Sequence, residues 1–365
     1  MNGPWTMETA AVFRARVRGC LLGGAVGDAL GYPVEFSSLD RIRAAHGQQG
    51  VTGLVPGENG AVGLISDDTQ MTLFTAEALI QDQEGKRHRA PEKGISDGWI
   101  MLMRRAYEQW LETQRKPGPE QAAPPENGGP EGGLITEPWL YARRAPGNAC
   151  LSGVAQMYAP DPWLALDGKP GPVNPDSKGC GAVMRSAPFG LVTNDHVAFS
   201  MAARAAQITH GHPTGYYAAG ALAAIVANLV EGDSMEGSVL RALQLLKHFP
   251  GHEETSAALH RAVELAADST VARAERVESL GAGWVAEEAL AIGVYCALLK
   301  MRTEDALLMS VNHSGDSDST GSICGNLRGA QRGDSTLPHA WVRQIEGRAR
   351  IAMLADDLAA TGVRH

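Results

Sequence analysis

Two clusters of carboxylates and hydroxyls carry most of the chemistry available to this chain. Ser66-Asp67-Asp68-Thr69 and Gly315-Asp316-Ser317-Asp318-Ser319-Thr320-Gly321 lie far apart, and each stands just before an apolar stretch. Carboxylates packed this closely repel one another unless a cation neutralises them. All-oxygen ligand sets suit Mg2+, Mn2+ or Ca2+ rather than zinc. Brought together by the fold, the clusters would form a hard-metal site with room for two ions. Helix capping is the plainer reading, because Ser, Thr and Asp are preferred N-caps and acids favour the first turn. A cap uses one oxygen, whereas each cluster offers at least three, and this excess favours a metal. The second cluster begins like a calcium loop, but Leu327 stands where a bidentate Glu is required, which excludes an EF-hand. The first hints at an Asp-rich Asp-Asp-x-x-Asp motif, but Met71 occupies the third acidic place.

Three further segments could face a site. Ser177-Lys178-Gly179-Cys180-Gly181-Ala182-Val183-Met184-Arg185 is a small-residue loop leading into an apolar segment. Backbone N–H groups in such loops can cradle phosphate or ribose, although an ordinary tight turn has the same composition. Gly19, Gly23, Gly27 and Gly31 recur every fourth residue, which on a helix makes a stripe for the close approach of a second helix. Each glycine costs about 1 kcal/mol relative to Ala in a helix, so the stripe implies a packing reason. The spacing does not fit Gly-x-Gly-x-x-Gly, which argues against a nucleotide loop. Asp28 within the stripe and Glu35 after it are poorly explained as core and are candidates to face a site. His210 and His212, in Thr209-His210-Gly211-His212-Pro213, suit either ligand contact or a helix end.

The elements that must position these residues are helical. Apolar residues recur at helical spacing over 8–30, 68–82 and 95–114, and then over 196–208, 213–231, 235–248, 254–267, 284–302, 303–311, 318–331 and 338–361. Almost nothing alternates with period two, so the pattern predicts an all-α protein. Residues 116–133 are rich in Pro and Gly and predict a flexible surface loop. The stretch 159–175 contains Trp163 and Leu166 and should be ordered against the body. Neither divides the chain if the acidic clusters share ions, so residues 1–365 are expected to form a single domain.

Of the 365 residues, 44% are hydrophobic and 20% charged, enough for a sizeable core, and the formal net charge is -9. With no Lys/Arg run longer than two, neither nucleic acid nor a membrane surface is an expected partner. Cys20, Cys150, Cys180, Cys296 and Cys324 show no Cys-x-x-Cys spacing, and their odd number suggests reduced thiols in a cytoplasmic protein. The apolar run 218–230 is too short to span a bilayer and predicts a buried helix.

Taken in order, these motifs resemble the ADP-ribosylglycohydrolase family, over about residues 13 to 333. The resemblance rests on Gly19 to Gly31, Glu35-Phe36, Ser66 to Met71, Gly179 to Arg185, Thr209-His210 and Gly315 to Gly321. Arg144-Ala145-Pro146-Gly147-Asn148 looks like the family's Pro-Gly-Asn segment and leans towards its bacterial, arginine-directed branch. The resemblance implies an all-α orthogonal bundle with a binuclear Mg2+ or Mn2+ centre. Ser66, Asp67 and Asp68 would be ligands from one side and Asp316, Asp318 and Ser319 from the other. Ser177, Gly179, Cys180, Gly181, Met184 and His210 would hold ADP-ribose, with Glu35 beside the ribose hydroxyls. Asp67, Asp68 and Glu35 would carry catalysis. The implied reaction is removal of ADP-ribose from a modified protein side chain, most simply arginine nitrogen. A different acceptor (serine, a nucleic-acid base or a small molecule), a phosphohydrolase releasing AMP, and a non-catalytic crystallin-like member are the rivals.

Overall fold

The computed structural model describes residues 7–57, 60–87, 98–120, 133–268 and 274–361. Helices α1 (Met7–Gly31), α2 (Leu39–His46), α3 (Asp67–Arg87), α4 (Gly98–Thr113) and α5 (Asn148–Val154) come first. They are followed by α6 (Asp195–Ala206), α7 (Pro213–Glu231), α8 (Met235–Leu246), α9 (Glu253–Ala267) and α10 (Ala274–Glu278). The last are α11 (Ala286–Leu298), α12 (Thr303–Val311), α13 (Ser317–Arg332), α14 (His339–Val342) and α15 (Arg348–Thr361). No strand occurs among the described residues; Pro56 with Val62 and Gly179 with Val285 form isolated bridges. The protein is all-α, as the periodicity predicts.

The long helices start where the sequence supplies caps. Asn194 accepts from Val197 N–H, Ser234 from Gly237 N–H, and Asp316 from Ser319 N–H, each satisfying a donor that the first turn leaves unpaired. Helix α7 is apolar all round because it is buried all round. By length and composition it could cross a membrane, but its apolar window is wholly covered by the protein.

The glycine stripe decides the geometry that matters. Gly19, Gly23, Gly27 and Gly31 of α1 lie against the backbone carbonyls of Gly329, Gly325, Gly321 and Ser317 of α13. A methyl group on any of the four would run into that backbone, so the helices touch only because Cβ atoms are missing from the seam. The pairing runs antiparallel, which brings the C-terminal end of α1 beside the N-terminal end of α13. The sequence predicts a close helix contact here but not its partner.

Some boundaries differ from the periodic pattern. The segment 338–361 is broken into α14 and α15, because Gly347 takes a φ of +66° in a connecting turn and packs against the Trp139 ring. The helix expected from residue 284 starts at Ala286, since Val285 is extended and bridges Gly179. Helices α2, α5 and α10 have no counterpart in the predicted pattern; such short helices form through packing and leave little periodicity. Leu166 packs on the core as expected, but Trp163 is exposed. The Pro/Gly-rich segment falls outside the described residues over 121–132, as do 95–97 of the predicted third helix.

Candidate functional site

Three helix ends converge at one place. Asp28, fully buried near the end of α1, accepts Ser66 N–H at 3.0 Å on each oxygen and Thr69 N–H at 3.1 Å. It also accepts the Thr69 hydroxyl. A carboxylate at the N-terminus of α3 complements the positive end of the helix dipole, and it staples the first acidic cluster to α1. Burial, followed by the charge of Asp318, pushes the Asp28 carboxyl up to about 7. The antiparallel seam delivers the second cluster to the same end.

The result is a cavity of 350 Å³ lined by Glu35, Asp67, Asp68, Asp316, Asp318 and Ser319 on its acidic side. Ligand oxygens of Glu35, Asp316 and Asp318 all lie within 4.8 Å of one another. Asp67 accepts Gly147 N–H at 3.4 Å, and Asp316 caps α13 through Ser319 N–H at 3.2 Å. Two buried oxygens, Asp68 Oδ1 and Glu35 Oε2, have no hydrogen-bond partner. Burial and then the Asp318 charge hold the carboxyls of Asp67, Asp68 and Asp316 well above the usual range. Burial, then Asp318, Asp316 and Asp67, push Glu35 up to about 11. The lining contains five acids and neither Lys nor Arg. Buried carboxyls with unpaired oxygens and no protein cation to balance them suit a divalent ion. The site can therefore hold a hard metal.

The opposite wall is the small-residue loop. Cys180 N–H donates to Trp284 O at 3.2 Å and Ala286 N–H to Lys178 O at 2.8 Å, tying the loop to the segment before α11. Behind it, buried Arg185 bonds Gly181 O and the Thr209 hydroxyl (2.7 Å), and its guanidinium lies 4.5 Å from the centre of the Tyr107 ring. Glycine is needed at 181, where a methyl group would strike Cys150 Sγ. His210 Nδ1 meets the Thr209 hydroxyl at 2.7 Å, while burial and the nearby Arg185 charge push its pKa down to about 3. The ring is neutral at physiological pH. Cys180 Sγ donates to Asp316 Oδ2 at 2.7 Å, linking the two walls.

A model of the ADP-ribosylglycohydrolase family matches residues 9–365. The chain belongs to that family. It is 24% identical over 339 residues to the ADP-ribosyl-[dinitrogen reductase] glycohydrolase of Rhodospirillum rubrum, covering 91% of this chain and 90% of the relative. It is 24% identical over 349 residues to the ADP-ribosylarginine hydrolase Tri1 of Pseudomonas putida, covering 94% of this chain and 77% of the relative. A solved structure titled as an ADP-ribosylglycohydrolase-related protein complex superposes with a TM-score of 0.62 at 22% identity, over 97% of this chain and 100% of that one. Family membership makes the protein a hydrolase of the ADP-ribosylglycohydrolase type.

Of the residues that the family resemblance singles out, Glu35, Asp67, Asp68, Gly179, Cys180, Gly181, Met184, His210, Asp316, Asp318 and Ser319 line the one cavity. Ser66 and Ser177 do not. Ser66 is buried, and its hydroxyl accepts Asp68 N–H at 3.2 Å in the first turn of α3. Ser177 lies one residue before Lys178, and its carbonyl accepts His212 N–H at 3.3 Å. The histidine pair separates: His210 enters the cavity, and His212 caps α7 through Thr214 N–H. Phe36, Cys150 and Trp284 also line the cavity, and sequence reasoning assigns them no role. Trp284 was hidden by a helical pattern it does not join. Of two larger clefts, the one of 440 Å³ holds the Asp82–Lys86 ion pair, and the one of 600 Å³ is lined by Asp268, which pairs with Arg276.

Proposed function

We propose that this protein is a metal-dependent hydrolase that releases ADP-ribose from modified protein side chains, with arginine nitrogen as the acceptor atom. The observation that carries the reading is the gathering of five carboxyls, two with unpaired buried oxygens, in one cavity beside the Gly179–Gly181 loop. The arginine assignment draws support from the relative named as an ADP-ribosylarginine hydrolase and from the Pro146-Gly147-Asn148 segment, which lines the cavity.

Two Mg2+ or Mn2+ ions, held among Asp67, Asp68, Asp316 and Asp318 with the hydroxyls of Ser66 and Ser319, would act as Lewis acids on the ribose hydroxyls and the attacking water. The chain's own groups do the rest. Asp28 fixes the start of α3, so Asp67 and Asp68 are presented without rotational freedom. Asp68 Oδ1, unpaired, takes the proton of the water that attacks the anomeric carbon. The C–N bond to the acceptor breaks as the C–O bond forms. Glu35, whose carboxyl lies within 4.8 Å of ligand oxygens of Asp316 and Asp318, hands a proton to the departing nitrogen. Neutral His210 and the loop glycines border the space for the diphosphate side of the substrate.

The test is release of ADP-ribose from an arginine-ADP-ribosylated protein with Mg2+, with Mn2+ and with EDTA. Intact ADP-ribose released only with metal is the expected result. AMP as product would transfer the protein to the phosphohydrolases, and no release with either metal would sink the arginine reading.

A further inference from the structure

The mouth of the cavity carries an aromatic pair that the chemistry above does not use. Phe36 and Trp284 both line the cavity and both stand out into solvent, 68% and 40% exposed. Their rings stack on each other, with centroids 5.2 Å apart and planes 21° from parallel. Two large apolar rings left in water at a cavity rim, when a core was available, need a reason.

The backbone beneath them is specialised. Phe36 has a φ of +65°, in the left-handed region that a bulky residue seldom occupies. Glu35 N–H to Gly31 O (2.9 Å) and Ser37 N–H to Val34 O (3.0 Å) hold that turn in place. Strain of this kind persists where the surroundings over-determine it, and it concentrates at ligand sites. Trp284 is equally fixed: its carbonyl accepts Cys180 N–H, and two residues earlier Ala282 O accepts Asp316 N–H at 2.8 Å. The platform is thus rigid and tied to both walls.

Position and charge select what lands on it. Phe36 follows Glu35, whose carboxyl belongs to the group that lies within 4.8 Å of Asp316 and Asp318. On the reading proposed above, the anomeric carbon sits there. The acceptor is bonded to that carbon, whereas the adenine is a ribose and a diphosphate away. A ring next to Glu35 therefore borders the acceptor. The cavity lining contains neither Lys nor Arg, so no protein cation there repels a positively charged acceptor. A planar cation that stacks on aromatic faces while facing carboxylates is a guanidinium.

We propose that Phe36 and Trp284 form an acceptor subsite that stacks on the guanidinium plane of ADP-ribosylated arginine and sets the preference for that linkage. This rests on the arginine-hydrolase reading, and the experiment separates the two. Wild type, Phe36→Leu and Trp284→Leu are compared with Phe36→Tyr and Trp284→Phe, all checked for unchanged thermal unfolding. Three quantities are read: kcat/KM on an arginine-ADP-ribosylated peptide, inhibition by agmatine, and the affinity for free ADP-ribose by calorimetry. The Leu variants should lose about tenfold in kcat/KM, the worth of one cation–π contact. They should also lose agmatine inhibition and bind ADP-ribose as the wild type does, while the Tyr and Phe variants keep both activity and inhibition. An ADP-ribose affinity that falls in step with kcat/KM would overturn the acceptor assignment and place the rings on the nucleotide. Leu variants as active as the wild type would overturn the subsite altogether. A wild type that releases nothing from arginine overturns the functional reading itself, and the subsite with it.

Discussion

Replacing Glu35 with Gln should change how the stability of the metal-free protein depends on pH. Glu35 ordinarily titrates near 4.5, but desolvation, then Asp318, Asp316 and Asp67, push it up to about 11 in the native state. Between those values the native protein keeps a proton that the unfolded chain has released. A state that binds more protons is weakened as pH rises, so this group makes stability fall with increasing pH. One retained proton corresponds to about 1.4 kcal/mol per pH unit, or about 2.7 kcal/mol between pH 6.5 and 8.5. Gln matches the protonated carboxyl in shape and charge, so the neighbouring acids feel the same field and keep their own behaviour. Groups common to both proteins, including His210, cancel in the comparison. The assay is urea unfolding of both proteins in EDTA across that range, followed by tryptophan fluorescence. The wild-type stability should fall more steeply than the variant's by about 1.4 kcal/mol per pH unit. Parallel curves would refute the reasoning, because they would mean that Glu35 ionises normally and that the carboxyl cluster is not crowded.

Three other perturbations probe different parts of the argument. Gly27→Ala puts a methyl into the carbonyl of Gly321 across the helix seam and should cost about 3 kcal/mol or more, read by urea unfolding; a loss below about 1 kcal/mol would show that the seam can open. Asp28→Asn weakens the staple on α3 and should lower Mg2+ affinity about tenfold, as the loss of a group that orients metal ligands does. Unchanged affinity by calorimetry would confine Asp28 to folding. Asp67→Asn and Asp316→Asn should each lose about a hundredfold or more in ADP-ribose release while remaining folded by circular dichroism, and activity kept in both would remove the carboxylates from the chemistry.

The helical class, most helix positions and the two acidic clusters were legible from residue types alone. Helical periodicity is a local property, and carboxylates crowded within a few residues are unusual in any context. The glycine stripe announced a close helix contact because four glycines in one helix cost too much without one. What the sequence could not state was which helix fills that contact. Only the tertiary structure pairs α1 with α13 in antiparallel sense and so sets Glu35 and Asp28 beside Asp316 and Asp318. The same limit applies to Ser66, whose place in the first turn of α3, accepting Asp68 N–H, shows only in the folded chain. It also explains Phe36 and Trp284, single aromatics with no periodic partner that become a pair only where two loops meet. Local chemistry is written in neighbouring residues; which distant groups share a cavity is set by backbone close approach, which no short stretch of sequence encodes.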